Sequence, residues 1–493
     1  MGRVATRPSG KIMKRKIIAS ILLASTLSLG VFSGCFNQTV SVTSIAKSRT
    51  EGLVDYYTIT YSDGTTSEFT VTNGRNGTDG KDGSDAQDVT AEDVYQSYKN
   101  IYGDTLTFEE FCERFLTVDN DYTAALNTCL LSCAKVYTVF HERAGVSGWG
   151  QSSKVQEVAY CGSSVIYRTD AEYTYFLTNY HVVYDSKAAV GYSKTTEKTW
   201  VYMYGSEYAP VENALTGNYS IAETDNYAIE CDYVGGSVVY DVAVLRARTD
   251  DVKKVNPQFR PVTVAYDYKV GESTFAIGNP DDGGISVTKG IVSVDSDYIT
   301  LDIDGTERRY RSIRTDTALT HGNSGGGLFN MRGELIGLNN AGDEDITSMN
   351  YAIPASVLAA VADGVLYYNA ADESIKSTKI ARLGVTVTYK NSRYVLDTET
   401  GRGNIFEDTT VVETTEDSLS ELAGLQKDDI ITSLTLNGRT TEITRQFKIT
   451  DVLLNTRAGD TLVIGYKRGE VEGQSPELTV RASDVKFVDE TQQ

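Results

Sequence analysis

Three histidines, His141, His181 and His321, are all the imidazole that this chain of 493 residues contains. Any chemistry that uses a neutral-pH base must therefore start from one of three positions. The residue best placed to use such a base is Ser324, in Gly322-Asn323-Ser324-Gly325-Gly326. Glycines on both sides of a serine permit the tight backbone that aims successive N–H groups at one developing oxyanion while leaving the hydroxyl accessible. The string also fits the G-x-S-x-G of a nucleophile elbow, where the serine sits between a strand and a helix and both the acid and the histidine follow it. No histidine follows Ser324, and residues 325–338 (GGGLFNMRGELIGL) read as strand and turn, so the elbow reading fails.

The base must then precede the serine. His181 ends a hydrophobic run, Tyr175-Phe176-Leu177-Thr178-Asn179-Tyr180-His181-Val182-Val183, where a strand passing into a turn would hold the ring rigidly toward a cleft. A carboxylate is needed to orient that ring, and Asp241, just ahead of Val242-Ala243-Val244-Leu245, offers one. Alone, a strand histidine is usually a packing residue and an aspartate before a strand usually a turn or cap. The joint pattern in the order His, Asp, Ser is the informative one, and it is the order of the chymotrypsin-like arrangement. His321 is so close to Ser324 that, as the base, it would distort the glycine loop. His141, in Val139-Phe140-His141-Glu142-Arg143, reads as a strand-end residue. No P-loop, no G-x-G-x-x-G after a strand and no metal-binding cluster is found, so neither a cofactor nor a metal is expected.

The elements that must position these residues are short strands. From about residue 134, segments such as AKVYTVF, SSVIYR, YTYFLT, VYMYG, VAVLRA, STFAIG, GIVSVD and ELIGLNN follow one another with glycine and aspartate between them, which predicts a β-barrel or sandwich. Helical character is expected in this region only at 354–370, with Pro354 in its first turn. The polar stretch 371–379 reads as a linker, and residues 380–488 as a mixed segment with a helix near Ile449 to Asn455. Nearer the start, residues 53–72 alternate apolar and polar around Ser62-Asp63-Gly64, the pattern of a β-hairpin. Glycines 74, 77, 80 and 83 then recur every third residue without proline, which makes a flexible spacer rather than a collagen helix. Thr90-x-x-Asp93 and Thr107-x-x-Glu110 look like capping boxes of two short helices, the second with Phe108, Phe111 and Phe115 on one face.

Composition narrows the class of protein further. With 40% hydrophobic and 23% charged residues the chain has material for two to four cores. A formal charge of −21 argues against a partner bound through phosphate neutralisation, so no nucleic acid is expected. Six basic residues precede the uncharged run Ile17 to Phe32, followed by Ser33-Gly34-Cys35, the layout of a secretory signal. The run resembles a bacterial lipoprotein signal, which implies lipidation at Cys35 and a body anchored outside the cytoplasm; Met13 is an alternative start. Removal of residues 1–34 leaves a net charge of −27, which an anionic membrane would repel everywhere but at the anchor. The other five cysteines, Cys112, Cys129, Cys133, Cys161 and Cys231, are too irregular for a disulfide framework and read as small buried residues with at most one bridge.

TNYHVV, DVAVL and GNSGG together resemble the three catalytic blocks of the HtrA/DegP family of trypsin-like serine proteases, and Ala276–Pro280 and Asn350–Pro354 match supporting strings of that family. The resemblance implies a mainly β fold, a trypsin-like double β-barrel followed by an α+β PDZ domain. It implies Ser324 as nucleophile, His181 as general base, Asp241 as its orienter, and the N–H groups of Gly322 and Ser324 as an oxyanion hole. Arg382-Leu383-Gly384-Val385 resembles the carboxylate-binding loop of a PDZ domain, with Leu383, Gly384 and Val385 as peptide-binding residues. Leu422–Ile431 resembles that domain's AGL-x-x-GD-x-I block, with Lys427-Asp428 in place of Gly-Asp. The expected organisation is signal 1–34, N-terminal surface segment 35–125, protease 126–370, linker 371–379 and PDZ domain 380–488. The expected partners are unfolded proteins or peptides, C-terminal peptides at the PDZ domain, a membrane through the lipid anchor, and two further copies in a trimer. Small apolar residues are expected before the cut, in a pocket near Leu338 to Ala341 and Thr320. Gly327 and His321 depart from the family's commoner residues beside the nucleophile, and the Tyr-rich stretch between His181 and Asp241 is unusually long. A protease-fold binding or sensing module without turnover is the competing reading.

Overall fold

Strict alternation places Tyr57, Ile59 and their neighbours on strands, and residues 42–72 form a three-stranded antiparallel sheet from β1 (Val42–Glu51), β2 (Val54–Tyr61) and β3 (Thr66–Thr72). The expected hairpin is β2 with β3, and β1 is a third strand that alternation alone did not single out. The structure, a computed structural model, describes residues 42–490 apart from 52–53, 62–63, 73–90, 104–106, 109–110, 112–121, 144–153, 214–216, 223–224, 343–345, 347 and 399–402. The signal segment, Cys35, the glycine spacer, Thr90, Cys112 and Phe115 lie outside the described residues. Two units are present, residues 1–108 and 109–493. In the first, helix α1 (Ala91–Tyr102) follows the sheet, and Tyr95 meets Phe108 with ring centroids 5.3 Å apart.

The second unit starts with α2 (Thr123–Leu130), which crosses residue 126 and contributes Cys129 and Leu130 to the main core. A seven-stranded sheet follows, built from β4 (Cys133–Arg143), β5 (Val155–Thr169), β6 (Tyr173–Thr178), β7 (Lys198–Met203), β10 (Ile229–Glu230), β11 (Asp232–Ser237) and β12 (Val242–Arg248), in the order β10-β7-β4-β5-β6-β12-β11. The Tyr-rich stretch is therefore mostly sheet, together with the small pair β8 (Val211–Glu212) and β9 (Tyr219–Ser220). A short helix at Tyr180–Val183, α3, follows β6, and α4 (Thr249–Val255) follows β12. The sequence had placed helix in this region only at 354–370. The α4 segment carries Asp250 and Asp251 in its first turn and Lys253 and Lys254 in its last, a charge order that suits the helix dipole.

A second seven-stranded sheet runs β13 (Thr263–Val264), β18 (Glu334–Gly342), β17 (Gly327–Asn330), β14 (Ser273–Gly278), β15 (Ser286–Asp302), β16 (Glu307–Thr315), β19 (Asn350–Pro354). Pairing of β18 with β19 closes it on itself. Helix α5 (Ala355–Ala371) follows at once; Pro354 ends β19 with an extended backbone and caps the helix from outside instead of entering its first turn. Ten of its residues are buried, and it seals the core shared by both sheets. Phe275 lies at the centre, fully buried between the rings of Tyr122 and Phe329 at 5.5 and 5.4 Å.

Residues 372–378 are pinned rather than free, since Lys376 carbonyl accepts from Gly236 N–H at 2.8 Å. Beyond them lies a third β-structure. Strands β20 (Lys379–Ala381) and β28 (Val485–Phe487) pair, and β21 (Val385–Leu396), β22 (Gly403–Thr414), β23 (Ile430–Leu436), β25 (Thr461–Arg468) and β26 (Val471–Gln474) make a sheet in that order. Strands β24 (Arg439–Glu442) and β27 (Leu478–Thr479) attach to it, with α6 (Leu419–Leu422) and α7 (Phe447–Leu454) alongside. Asp428 holds the left-handed position (φ 69°) and Asp429 is the buried carboxylate, paired with Arg468 at 2.7 Å. The Gly-Asp of the resemblance thus corresponds to Asp428-Asp429, one residue later than the sequence placed it. This segment meets the second sheet through Arg311–Asp451 (3.0 Å) and Arg445–Asp295 (3.1 Å), with the Arg311 guanidinium 4.2 Å over the Phe447 ring. The four cysteines among the described residues, Cys129, Cys133, Cys161 and Cys231, are free thiols.

Phe275→Ala is expected to lower the unfolding free energy by about 3–5 kcal/mol, because the rings on either side cannot collapse into the space. Urea unfolding followed by tryptophan fluorescence checks this, and a loss under 1 kcal/mol would contradict the packing described.

Candidate active site

Register brings two of the expected residues together. Strands β6 and β12 are antiparallel with Thr178 opposite Ala243, so the chain leaving β6 and the chain entering β12 lie at the same end. His181 is in the short helix just beyond β6, and Asp241 is the last loop residue before β12. The His181 Nδ1–H donates to Asp241 Oδ2 at 2.8 Å, and the His181 backbone N–H donates to Asp241 Oδ1 at 2.9 Å. Asp241 is wholly buried and takes φ 53°, with its carbonyl held by Asn179 Nδ2 at 3.1 Å. Burial opposes a charge on the ring, but the Asp241 carboxylate, by its charge and its hydrogen bond, outweighs burial and holds His181 above the ordinary imidazole value.

Ser324 comes from the other sheet, in the turn between β16 and β17. That turn is tied to β5 by Ser163, whose N–H donates to Ser324 carbonyl (2.8 Å) and whose Oγ donates to Gly322 carbonyl (2.7 Å). Asn279 N–H donates in turn to Ser163 Oγ at 2.8 Å. Ser163 is central to the site, and nothing in its sequence context (Cys161-Gly162-Ser163-Ser164) marked it, since its role arises only when two sheets meet. The glycines are required here. Gly322 has φ 89° and a Cβ on it would lie 2.1 Å from Asn279 carbonyl oxygen; Gly325 has φ 85° and its Cβ would lie 2.1 Å from Ser163 carbonyl oxygen.

The His321 carbonyl accepts from Asp281 N–H at 2.7 Å, which in a trans peptide turns the Gly322 N–H to the opposite side. Among the described residues no protein acceptor takes the Gly322 or Ser324 N–H. The Ser324 Oγ donates to Asn340 carbonyl at 3.1 Å and makes no hydrogen bond to His181. His181 and Ser324 nevertheless line one cleft of about 760 Å³ with Leu301, Ile303, Thr320 and Ala341. Thr320 and Asn339 to Ala341 are thus on the wall where the sequence placed the pocket, while Leu338 is fully buried behind it. Leu301 and Ile303, from the β15–β16 hairpin tip, were not foreseen. His321 is exposed on the cleft rim, and His141 stacks on Tyr192 at 4.2 Å beside Glu157, away from this cleft. Leu383, Gly384 and Val385 stand together in the C-terminal segment, at the entry to β21.

Residues 162–338, which include His181, Asp241 and Ser324, match the trypsin-like peptidase domain family. The chain is 28% identical to the serine protease Do-like HtrB of Bacillus subtilis (strain 168) over 288 residues, 57% of this chain and 54% of that protein. It is 24% identical to the serine protease Do-like HtrA of Lactococcus lactis subsp. cremoris (strain MG1363) over 416 residues, 79% of this chain and 90% of that protein. Residues 162–338 thus carry a trypsin-like peptidase domain. Among solved structures, the HtrA-type protease AlgW with decapeptide aligns with a TM-score of 0.44 and 22% identity, over 75% of this chain and 99% of that one. Among the described residues no group of side chains could hold a metal ion, and no helix is long and apolar enough to cross a membrane.

The raised His181 value has two consequences of opposite sign. Its contribution to stability is complete below the ordinary imidazole value and is lost as pH rises through the raised one, whereas a base is competent only above it. Asp241→Asn is expected to move the His181 titration midpoint down, toward or below that of a free imidazole. Histidine-selective NMR titration checks this with only three signals to resolve, and an unmoved midpoint would contradict the pairing.

Proposed function

We propose that this chain is an extracytoplasmic serine endopeptidase of HtrA type that hydrolyses unfolded or damaged proteins through an acyl-enzyme. The observation that carries the reading is the double hydrogen bond from His181 to Asp241 at one wall of the cleft that holds Ser324 in its glycine loop. In this mechanism Ser324 Oγ leaves Asn340 carbonyl by rotating about χ1, gives its proton to His181 Nε2 and attacks the scissile carbonyl. Asp241 keeps the imidazole in the tautomer that presents Nε2 and stabilises the imidazolium that forms. The tetrahedral oxyanion is received by the N–H groups of Gly322 and Ser324, each worth roughly 2.7–4 kcal/mol in the transition state. His181 then protonates the leaving amine, and a water deprotonated by the same ring releases the acid product.

Residues 380–488 are read as a PDZ domain that takes substrate or effector C-termini at Leu383, Gly384 and Val385. Support comes from the loop and from the strand it opens. Gly384 carbonyl is fixed by Thr415 N–H and Ser420 Oγ, each at 2.7 Å, and β21 is the terminal strand of its sheet, where an added strand can pair. Lipidation at Cys35 would place the enzyme on the outer face of a membrane, and a trimer follows from the resemblance alone. The Ser324 hydroxyl turned to Asn340 favours a resting form that substrate or a PDZ-bound peptide must convert.

Ser324→Ala is expected to reduce cleavage of an unfolded casein-type substrate by a factor on the order of 10⁴ to 10⁶. A hydrophobic C-terminal peptide is expected to stimulate the unsubstituted chain and not the variant. A folded residues 36–493 protein that cleaves nothing with or without peptide would move the assignment to a binding module.

A further inference from the structure

The loop that delivers Asp241 is short and strained. Ser237 pairs with Val242 across β11 and β12, so residues 238–241 are the whole turn, and Asp241 leaves it in the left-handed region. Such a turn does not hold one conformation without outside support. One support comes from the second sheet, where Tyr310 OH donates to Val238 carbonyl at 2.8 Å. The other comes from the far end of the chain. After β28, the turn Val488–Glu490 returns to the first sheet. Val488 is 1% exposed and belongs to the same core as Val234, Val242 and Val365. Asp489, at the rim, accepts hydrogen bonds from two hydroxyls, Ser237 Oγ at 3.2 Å and Ser377 Oγ. Ser237 stands directly beside the Asp241 turn, and Ser377 is in the 372–378 segment, which Gly236 and Lys376 already join to β11. Tyr180, the neighbour of His181, feels the same carboxylate, as do Tyr233 and Tyr240, and the Arg308 guanidinium acts on it as a cation.

We propose that the C-terminal turn is a strut of the catalytic site, with Asp489 the positioning residue that holds the Ser237–Asp241 turn so that the Asp241 carboxylate meets His181. This rests on the endopeptidase reading for its catalytic consequence, but the strut itself is a statement about the geometry of His181 and Asp241. It makes the turn Val488–Glu490 part of the protease site, although some 250 residues separate it from Asp241. A chain that ends early, or that has its C-terminal segment pulled away, would keep all three of His181, Asp241 and Ser324 and lose their alignment.

The test uses residues 36–493 with Asp489→Ala and Asp489→Asn. Asparagine keeps an acceptor for Ser237 and a polar partner for Ser377, but removes the charge. Alanine is expected to lower the His181 NMR midpoint toward the ordinary imidazole value and to cut kcat/KM about tenfold through kcat, with KM little changed. Asparagine is expected to restore both to within about threefold of the unsubstituted protein. An Asp489→Ala protein with an unchanged His181 midpoint overturns the strut. So does an Asp489→Asn protein that loses as much as alanine, since charge and not position would then be responsible. Because the midpoint is read without any substrate, a protein whose His181 behaves as stated but which cleaves nothing refutes the endopeptidase reading and leaves the strut standing.

Discussion

A carboxylate with no exposure to water is tolerable only where its charge is answered, and around Asp241 the answer is almost entirely His181. One carboxylate oxygen takes the ring N–H and the other takes the backbone N–H of the same residue. This pairing fixes the position of the imidazole and its tautomer at once. It also demands that β6 and β12 be neighbours in a particular register, because a shift of one residue would turn Asp241 to the opposite face. The long β4–β5 ladder and the closed second sheet can be understood as the frame that keeps this register while a second structural layer presents the serine.

The serine side obeys a different constraint, close approach of backbone to backbone. Ser163 on β5 holds the carbonyls of Gly322 and Ser324, and there is no room for a side chain at Gly322 or Gly325. Holding the carbonyls inward leaves N–H groups of the same turn without protein partners, which is what binding a developing negative charge requires. Under the proposed reading the base is thus positioned by side-chain electrostatics and the oxyanion donors by steric exclusion. A substitution that spares one half of the site need not disturb the other.

The local part of this architecture was legible in the sequence. The glycine-framed serine, the histidine at the end of YTYFLT, the aspartate before VAVLRA and the strand-dense body are all local patterns, and the structure pairs His181 with Asp241 and puts Ser324 on the same cleft as His181. What could not be read was the part that depends on contact between distant segments. Ser163 looks like any strand serine, Leu301 and Ile303 reach the cleft only because β15 and β16 extend far beyond their neighbours, and Asp489 is an unremarkable residue near the chain end. Helix α4 was missed because seven residues between strands leave too little periodicity to detect. Pro354 was misplaced by one step for a related reason, since its φ suits both the end of a strand and the start of a helix.

The Ser324 hydroxyl, the nucleophile of the proposed reading, is held by little energy. Its hydrogen bond to Asn340 carbonyl is a neutral, partly exposed contact, worth about 0.5–1.5 kcal/mol net. Under the proposed reading that bond is exchanged for one to His181, and a substrate strand lying in the cleft would compete for the same Asn340 carbonyl. Substrate binding would then release the hydroxyl toward its base. The acid-bearing turn carries the opposite bias, held by the second sheet on one side and by the chain's own end on the other. Under the proposed reading the nucleophile is the adjustable member of the site, and Asp241 is the member that the rest of the fold is built to keep still.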